Sequence, residues 1–330
     1  MIISRTPFRV SFFGGGSDYP QWYLEHGGQV LSTAIDKYCF ICCRHLPPFF
    51  DYKHRIVYSK QENVKTIDEI QHPAVRGVLQ WNNYSKGLEI HHDADLPARS
   101  GLGSSSSFTV GLINVLKAIQ GQHMSKQGLA EAALHVEQQV IAEHVGSQDQ
   151  IAAAFGGFNH IQFLQNGHFE VNSIILSPHR MDELQSHLLL VFTGFSRIAS
   201  EIAKDKIDNF KEKSEQIKYM SNMVVEAIDI LRNPKTSINE FGQLLHDSWQ
   251  YKRGLSAKVT TTEIDSIYHK AIQAGALGGK LLGAGGGGFM LLFAPPERHS
   301  HIIQSLGLIH VPFAFDNSGS KIVLYEPNGL

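Results

Sequence analysis

Short runs of alternating apolar and polar residues fill the first half of the chain and predict β-strands. A period of two is typical of a strand with one buried face. The strands predicted in this way cover residues 10–13, 29–35, 38–43, 55–59 and 88–92. Residues 157–176 predict a β-hairpin, because Asn166-Gly167 at their centre favours a two-residue turn. Apolar residues at helical spacing predict helices over 64–79, 105–119 and 126–143.

Helical spacing dominates the second half of the chain. The elements predicted there are, in order, a strand over 188–192, a helical region over 198–231, helices near 238–251 and 262–274, a glycine-rich loop, a strand over 289–293, a helix after Pro295-Pro296, and strands near 309–315 and 321–325. This order predicts an α/β sandwich distinct from the first half. We therefore expect two domains, residues 1–185 and 186–330.

The composition is that of a globular protein. Apolar residues make up 42 % of the 330 residues and charged residues 18 %, which allows a buried core. The formal net charge of -2 gives no general attraction to nucleic acid or to an anionic membrane. No apolar run is long enough to span a bilayer, and the N-terminus lacks the long apolar region of a signal peptide. We expect a cytoplasmic protein whose partners include neither nucleic acid nor membranes.

The segment from Pro97 to Phe108, Pro-Ala-Arg-Ser-Gly-Leu-Gly-Ser-Ser-Ser-Ser-Phe, lies between a predicted strand and a predicted helix. That arrangement is typical of an anion-binding site. Glycine lets the backbone approach a ligand closely, and the free N–H groups and the dipole of a helix N-terminus favour negative charge. The serine hydroxyls can bind phosphate or ligate Mg²⁺. The alternative is an ordinary helix with a serine cap after a flexible loop.

A second glycine-rich stretch, Gly283-Ala-Gly-Gly-Gly-Gly288, formally satisfies the dinucleotide motif G-x-G-x-x-G. The predicted order of helix, loop and strand is the reverse of a Rossmann site, and no acidic residue follows at about 20 residues. A Walker A motif fails as well, because Lys280 is followed by Leu281 and not by serine or threonine. The loop is either a tight turn from a helix into a strand or a second backbone wall against a ligand.

Glu137 falls on the apolar face of the helix predicted over 126–143. The stripe on that face consists of Ala130, Leu134, Glu137 and Ile141. A carboxylate on a buried face needs a cation or a metal to offset its desolvation. Glu137 is therefore a candidate metal ligand, and a salt bridge at the edge of the helix is the alternative.

Asp149, Asp18 and Arg9 are further candidates for chemistry. Asp149 lies at a glycine-containing junction before the apolar stretch 151–155, where it can be a general base or the N-cap of a helix that begins at Gln150. Arg9 lies on a predicted strand, and Asp18 comes just past three glycines. A carboxylate at that place can accept hydrogen bonds from ligand hydroxyls, or it can cap a turn.

Taken together, these segments resemble the motifs of the GHMP small-molecule kinases, the family that includes galactokinase, homoserine kinase and mevalonate kinase. The galactokinase motif G-x-M-D-Q is among them, and a glutamate twelve residues before its aspartate coincides with one here. The matching segments are Pro7-Phe-Arg9-Val, Gly14-Gly-Gly-Ser-Asp18-Tyr19, Pro97 to Ser106, Glu137, Gly146-Ser-Gln-Asp149-Gln150, and Gly283 to Gly288. The resemblance covers nearly the whole chain.

The chain departs from galactokinase in ways that indicate another sugar. Glycines replace the Glu-His of the first motif, and Phe8 replaces the usual glycine after the proline. This variant, with residues 34–38, 193–197 and 249–253, is similar to the branch of the family that acts on D-glycero-D-manno-heptose 7-phosphate. The L-fucokinases are near neighbours of that branch, but they are often much longer proteins.

The resemblance implies an α+β, two-domain GHMP kinase fold, with a ribosomal-protein-S5-like N-terminal domain and a ferredoxin-like C-terminal domain. It implies transfer of the γ-phosphoryl group of ATP, with Mg²⁺ as a cofactor, to the anomeric hydroxyl of the heptose 7-phosphate. The implied partners are a small-molecule sugar phosphate and ATP, and a homo-oligomer is left open. The alternatives are an L-fucokinase-like or other sugar-1-kinase, and a non-catalytic sugar sensor. Asp149, Glu137 and Arg9 together argue against a sensor, which has no need of a base.

The resemblance also assigns the nucleotide and metal contacts. Ser105 and Glu137 would hold Mg²⁺, with Ser104 or Ser106 as alternatives to Ser105. The residues that would bind the triphosphate are Pro97, Arg99, Ser100, Gly101, Leu102, Gly103, Ser104, Ser105 and Ser106.

On the acceptor side, Asp149 would take or orient the hydroxyl proton, and Arg9 would offset charge on the transferred group. Arg197 and Arg253, together with Lys252, are candidates for an anchor of the sugar phosphate, because a dianion needs cations. Solvated surface charges are the alternative for these three. The residues that would contact the sugar are Gly15, Gly16, Ser17, Asp18, Gly285, Gly286 and Gly287.

Overall fold

The computed structural model describes residues 1–194, 203, 205 and 207–327. The strands of this part of the chain are β1 (Ile2–Phe13), β2 (Gly28–His45), β3 (His54–Val57), β4 (Gln61–Val64), β5 (Leu88–Ala94), β6 (Phe158–Phe163), β7 (Phe169–Ser173), β8 (Leu188–Phe192), β9 (Gly278–Leu281), β10 (Phe289–Phe293), β11 (Ile309–His310) and β12 (Lys321–Tyr325). Its principal α-helices are α1 (Pro20–His26), α2 (Pro73–Trp81), α3 (Ser104–Ile119), α4 (Lys126–His135), α5 (Gln148–Phe155), α6 (Pro178–Ser186), α7 (Ser214–Arg232), α8 (Asn239–Arg253), α9 (Thr262–Gln273) and α10 (His299–Leu306).

The first sheet has the order β12-β1-β2-β5-β3-β4, and β6 and β7 extend it from β2. β1 and β2 pair antiparallel from Ile2 opposite Cys43 to Phe13 opposite Leu31. Helix α3 packs across both strands. The loop before α3 is joined to β1 directly, because the backbone N–H of Arg9 donates to the carbonyl oxygen of Leu102 at 3.0 Å.

β2 is one strand where the sequence predicts two. The polar residues 36–37 interrupt the alternation, and the structure accommodates them as a bulge. Pro7 pairs with Tyr38, whereas the next residue, Phe8, pairs with Ile35. A bulge leaves extra residues on one strand without ending the pairing. The break in the pattern is therefore local, and the strand continues through it.

The helix predicted over 64–79 is wrong in its first half. Strand β4 and a 3-10 turn over Ile67–Glu69 occupy that part, and α2 begins only at Pro73. Proline suits the first turn of a helix and not its interior, so the helix starts there. In the region of the helix predicted over 126–143, α4 ends at His135 and is followed directly by a π-helical turn over Val136–Val140. α1, α6 and β9 lie where the sequence predicts no element.

The second sheet, with the order β11-β8-β10-β9, is antiparallel and comes from the chain after residue 185. α8 packs on β9, and α7 packs on α8. The strand predicted over 309–315 is reduced to β11. β12, although it follows residue 185, pairs with β1 in the first sheet. The C-terminal strand thus crosses the predicted boundary between residues 1–185 and 186–330, and the division into these two domains stays a prediction.

A cluster of buried apolar residues joins the two halves at the end of β1. The rings of Phe12 and Phe13 pack edge-on against Phe241 of α8, with centroids 5.6 Å and 5.2 Å away. The ammonium group of Lys280 in β9 also donates to the carbonyl oxygen of Phe12 at 2.7 Å. The end of β1, and the glycines that follow it, are therefore held by both halves of the molecule.

Candidate active site

Arg9 of β1 and Asp149 of α5 form the centre of the site. The guanidinium group makes a two-point ion pair with the carboxylate, in which Nε donates to Oδ1 at 2.7 Å and Nη2 donates to Oδ2 at 2.9 Å. Nη1 donates to the carbonyl oxygen of Gly101 at 2.6 Å. The Arg9 side chain is buried, whereas the Asp149 side chain is 26 % exposed. The carboxylate is thus held in one orientation and stays accessible to a ligand.

The first turn of α5 gathers the other predicted acids around this pair. α5 begins at Gln148, so Asp149 is its second residue and not the cap of a helix that starts at Gln150. Consecutive residues of a helix point about 100° apart, so three adjacent side chains reach three directions. The resulting hydrogen-bonded pairs are Gln148 with Asp18, Asp149 with Arg9, and Gln150 with Glu137.

Asp18 is almost completely buried beside Asp149. Its Oδ1 accepts from the backbone N–H of Gly16 at 2.9 Å, and its Oδ2 accepts from Gln148 Nε2 at 2.8 Å. Burial raises the pKa of Asp18 and the nearby charge of Asp149 raises it further, whereas these two hydrogen bonds lower it. Gly146 leaves room for the carboxylate, because a Cβ atom there would lie 2.1 Å from Oδ2.

Ser17 is a structural residue of the turn before Asp18. Its hydroxyl donates to the carbonyl oxygens of Gly14 and Gln29 at 2.8 Å and 2.9 Å, and it accepts from the backbone N–H of Gln29 at 3.0 Å. These bonds occupy the side chain that the resemblance assigns to the sugar. Gly15, by contrast, has open space where a Cβ would lie. Of the two, Gly15 is the residue whose position suits ligand contact.

Glu137 lies on the π-helical turn and is buried. Its Oε2 accepts from the hydroxyl of Ser106 at 2.9 Å and from Gln150. Its Oε1 is buried and finds no hydrogen-bond partner among the described residues. Burial raises the pKa of Glu137 to about 7, against the hydrogen bonds that lower it. Glu137 is therefore not at a helix edge, and its free oxygen offers a ligand to a cation.

Ser106 is the serine that contacts Glu137, and Ser105 is exposed on the same turn. The resemblance assigns the metal to Ser105 first, with Ser106 as an alternative, and the identity of the metal-binding serine stays a prediction. α3 starts at Ser104, and this start sets which hydroxyl turns inward. Ser104 accepts from the backbone N–H of Arg99 at 3.1 Å, which closes the loop on itself.

The loop before α3 turns through two left-handed glycines, Gly101 with φ 85° and Gly103 with φ 75°. A Cβ on Gly103 would lie 3.2 Å from Arg9 Cγ and 3.4 Å from Asp149 Cγ, so the loop passes against the ion pair. Pro97 is exposed at its start. The first N–H groups of α3 lack partners within the helix, which makes this turn suited to an anion.

The second glycine-rich loop lies directly against the first. A Cβ on Gly101 would be 2.6 Å from the carbonyl oxygen of Leu282, and one on Gly288 would be 2.3 Å from that of Ser100. The backbone N–H of Phe289 donates to Ser100 at 3.0 Å. Glycine is needed on both sides because backbone meets backbone. This contact supports the interpretation of the second loop as a wall of the site.

The loop joins two strands, β9 and β10, where the sequence predicts a helix before it. Glycine is depleted in strands, so the start of β9 gives a weak strand signal. The physical reason for glycine there is the close approach of α8, since a Cβ on Gly278 would lie 2.0 Å from the carbonyl oxygen of Gly242. Glycine at the start of β9 is therefore explained by a close backbone contact and not by a turn.

Gly285, Gly286 and Gly287 have φ values of 121°, 76° and 149°. Gly286 donates its N–H to the carbonyl oxygen of Val259 at 2.9 Å, and a Cβ on Gly285 would lie 2.7 Å from that oxygen. Their observed neighbour is therefore the segment after α8. Contact between these three glycines and a sugar stays a prediction.

The cations that the sequence offers as a sugar-phosphate anchor have other contacts. Arg253 forms an ion pair with Asp265 at 2.8 Å. Lys252 is buried, and its ammonium group donates to two backbone carbonyls at the start of the second glycine loop, each at 2.7 Å. Arg197 lies outside the described residues. Lys252 thus fixes the loop, and the described hydrogen bonds of the Arg253 side chain go to Gln250 and Asp265.

Two residues at the site are not singled out by the sequence. Burial raises the pKa of Tyr19, the charges of Asp18 and Asp149 raise it further, and the charge of Arg9 lowers it. Gln148 is the side-chain donor to Asp18. The signal for Gln148 is in the motif itself, because a buried polar residue stands where the galactokinase motif G-x-M-D-Q has methionine.

A helix start that is suited to an anion, with a carboxylate and an arginine fixed beside it, is the arrangement expected of a phosphotransferase that acts on a hydroxyl group. Comparison with known proteins identifies its family. The GHMP kinases N terminal domain matches residues 66–157, and the GHMP kinases C terminal domain matches residues 225–307. The chain belongs to the GHMP kinase family, whose phosphate donor is ATP.

The relatives extend over the whole chain. A D-glycero-alpha-D-manno-heptose 7-phosphate kinase of Campylobacter jejuni is 29% identical, with 97% of this chain and 98% of that protein covered. A bifunctional fucokinase/GDP-fucose pyrophosphorylase of Arabidopsis thaliana is 28% identical over 92% of this chain and 31% of that protein.

The predicted GHMP kinase fold is confirmed by solved structures. The crystal structure of a D-glycero-D-manno-heptose 1-phosphate kinase from Bacteroides thetaiotaomicron superposes with a TM-score of 0.79 at 24% identity, and 98% of each chain is covered. None of the helices in the described part of the chain is long and apolar enough to cross a membrane.

Proposed function

We propose that this kinase transfers the γ-phosphoryl group of ATP to the anomeric hydroxyl of D-glycero-D-manno-heptose 7-phosphate, which gives the 1,7-bisphosphate. The observation that carries phosphoryl transfer is the Asp149 carboxylate, fixed by Arg9 beside the loop that precedes α3. The heptose substrate rests on the full-length similarity to the C. jejuni enzyme, whose name gives that substrate.

In the proposed reaction, a bond forms between the anomeric oxygen and the γ-phosphorus while the bond from that phosphorus to the β–γ bridging oxygen breaks. The proton of the hydroxyl goes to Asp149, which is oriented and partly exposed. The guanidinium group of Arg9 contacts both Asp149 and Gly101. Its charge therefore lies between the base and the phosphate loop, where it offsets negative charge on the transferred group.

The residues present fit Mg²⁺. Hard divalent cations take oxygen ligands, and Mg²⁺ is commonly held by one or two carboxylates together with substrate phosphates. Glu137 would hold it through Oε1, which accepts no hydrogen bond from the residues that the structure describes, and Ser106 would support it from the first turn of α3. When bound, Mg²⁺ neutralises charge on the phosphates.

ADP release with Mg²⁺-ATP tests the proposal, comparing the heptose 7-phosphate with L-fucose, D-mannose and galactose. We expect a strong preference for the heptose phosphate. Preference for an unphosphorylated sugar would support kinase activity but contradict the heptose 7-phosphate as the substrate. Turnover of none of the four would contradict a sugar acceptor of this class.

A kinase of an unphosphorylated sugar such as L-fucose is the second candidate. The A. thaliana relative carries fucokinase in its name. The observation that favours it here is the ion pair between Arg253 and Asp265, which engages one of the predicted phosphate anchors. The substrate comparison above separates the two candidates.

Replacement of Arg253 by alanine tests the anchor directly. We expect the KM for the sugar phosphate to change by no more than about twofold, because a partly exposed pair with Asp265 contributes little. Steady-state kinetics at saturating ATP measures this. A rise of about tenfold or more, with the KM for ATP unchanged, would instead place Arg253 on the sugar phosphate.

Replacement of Glu137 by glutamine is expected to change how stability depends on pH. The pKa of Glu137 is about 7 in the folded protein against 4.5 for an ordinary glutamate, so the native state binds the extra proton between these pH values. Stability then falls as the pH rises from about 4.5 to about 7, by about 3 kcal/mol at most. Thermal unfolding in EDTA should show this fall in the wild type, and Glu137→Gln should flatten it.

The control for this titration is Glu25→Gln, because the Glu25 side chain is 78% exposed. This variant should keep the pH dependence of the wild type. An unchanged pH dependence in Glu137→Gln would contradict the raised pKa.

A further inference from the structure

Asp18 is hydrogen-bonded to the start of α5. The backbone carbonyl of Asp18 accepts from the N–H of Ser147 at 2.8 Å, and its Oδ2 accepts from the Gln148 side chain at 2.8 Å. Gly146 provides the space, since any Cβ there would strike Oδ2. The turn that carries Asp149 therefore also sets the position of Asp18.

Asp18 keeps acceptor capacity for a ligand. Each oxygen of a carboxylate has two lone pairs. Within the described residues, Oδ1 takes one donor from Gly16, Oδ2 takes one from Gln148, and the backbone N–H of Asp18 itself gives a third hydrogen bond to the carboxylate. One of the four acceptor positions thus stays available for a hydroxyl group. The direction in which this position points depends on the donor that holds Oδ2.

Gln148 is the side chain that provides this donor, and it is only 9% exposed. Its own amide oxygen is buried and finds no donor in the described part of the chain. A methionine at this position, as in the galactokinase motif, has no N–H to give. The packing of the turn could survive that exchange, but the hydrogen bond to Asp18 could not.

We propose that Gln148 is a positioning residue for sugar selectivity, which orients Asp18 so that its free acceptor position matches a hydroxyl of the proper sugar. This rests on the proposed function and on the contact between Asp18 and the acceptor sugar that the resemblance implies. Gln148 acts through Asp18 and leaves the nucleotide side of the site unchanged.

Gln148→Met tests the proposal, with Gln138→Met as the matched control. Gln138 donates to the hydroxyl of Ser147 at 3.0 Å in the same turn and does not contact Asp18. We expect Gln148→Met to raise the KM of the best sugar by about tenfold or more, because a hydrogen bond to a charged group is lost, while the KM for ATP stays within about twofold. The preference for that sugar over galactose should fall as well. Gln138→Met should leave both KM values within about twofold of the wild type.

Gln148→Glu separates donation from packing. Glutamate has the length of glutamine but no N–H. At a pH high enough to ionise both carboxyl groups it offers Oδ2 a negative oxygen, so the sugar KM measured there should rise more than in Gln148→Met. A Gln148→Glu enzyme with the sugar KM of the wild type would overturn the proposal. An unchanged KM and selectivity in Gln148→Met, or an equal loss in Gln138→Met, would do the same.

All variants are compared on the sugar that the wild type prefers. If that sugar is not the heptose phosphate, the proposed substrate fails and the comparison of Gln148 variants still decides this proposal. A wild-type protein that turns over no sugar overturns both. Thermal unfolding with and without Mg²⁺-ATP confirms that each variant is folded and binds nucleotide.

Discussion

We expect Asp149→Asn to lower kcat by about 10²–10⁴-fold and to leave the KM for ATP within about twofold of the wild type. An amide keeps the shape of the side chain and can still accept from Arg9, but it cannot take a proton from the acceptor hydroxyl. The two-point pair would be weakened without being removed. Steady-state ADP release gives kcat, and protection against thermal unfolding gives ATP binding.

Asp265→Asn is the matched control for this variant. Asp265 also pairs with an arginine, and its side chain is 25% exposed against 26% for Asp149. It has no place in the proposed chemistry, so its kcat should stay within about twofold of the wild type. Equal kcat values in the two variants would remove Asp149 from the role of base.

The local pattern of apolar and polar residues predicted those strands and helices whose apolar positions form the buried face. The alternating runs that contain residues 10–13 and 88–92 are strands, and the helix predicted over 105–119 is α3. Two of the failures come from interactions distant in sequence. β9 begins with glycines because α8 approaches it, and β2 continues through residues 36–37 because β1 pairs on both sides of them. Neither partner can be read from the local sequence.

For the site as well, the sequence predicted which residues take part but not which of them contact each other. The resemblance named Arg9, Asp18, Glu137 and Asp149, and the structure brings them together around α5. Their pairing could not be predicted, because it depends on where α5 begins. The choice between Ser105 and Ser106 likewise depends on the residue at which α3 starts.

Contact between the two glycine-rich loops has a consequence that can be measured. Gly101 is in a left-handed conformation, with φ 85°, and a Cβ there would be 2.6 Å from the carbonyl oxygen of Leu282. Both obstacles are backbone, so no side chain can move aside. The carbonyl oxygen of Gly101 also accepts from Arg9, which links the loop before α3 to Asp149, the proposed base. A shift of Gly101 therefore displaces this loop and Arg9 together.

Gly101→Ala is expected to lower kcat/KM for ATP by about 10²-fold, because a displacement near 1 Å is enough for such a loss. Gly121→Ala is the matched control, since Gly121 has φ 71° and nothing within 4 Å of an added Cβ. It carries the same backbone strain of about 1 kcal/mol without the collision. Thermal unfolding should show a modest loss of stability in both variants, and ADP release should fall only in Gly101→Ala. If both variants lost activity equally, strain alone would explain the effect, and the contact between the loops would have no part in catalysis.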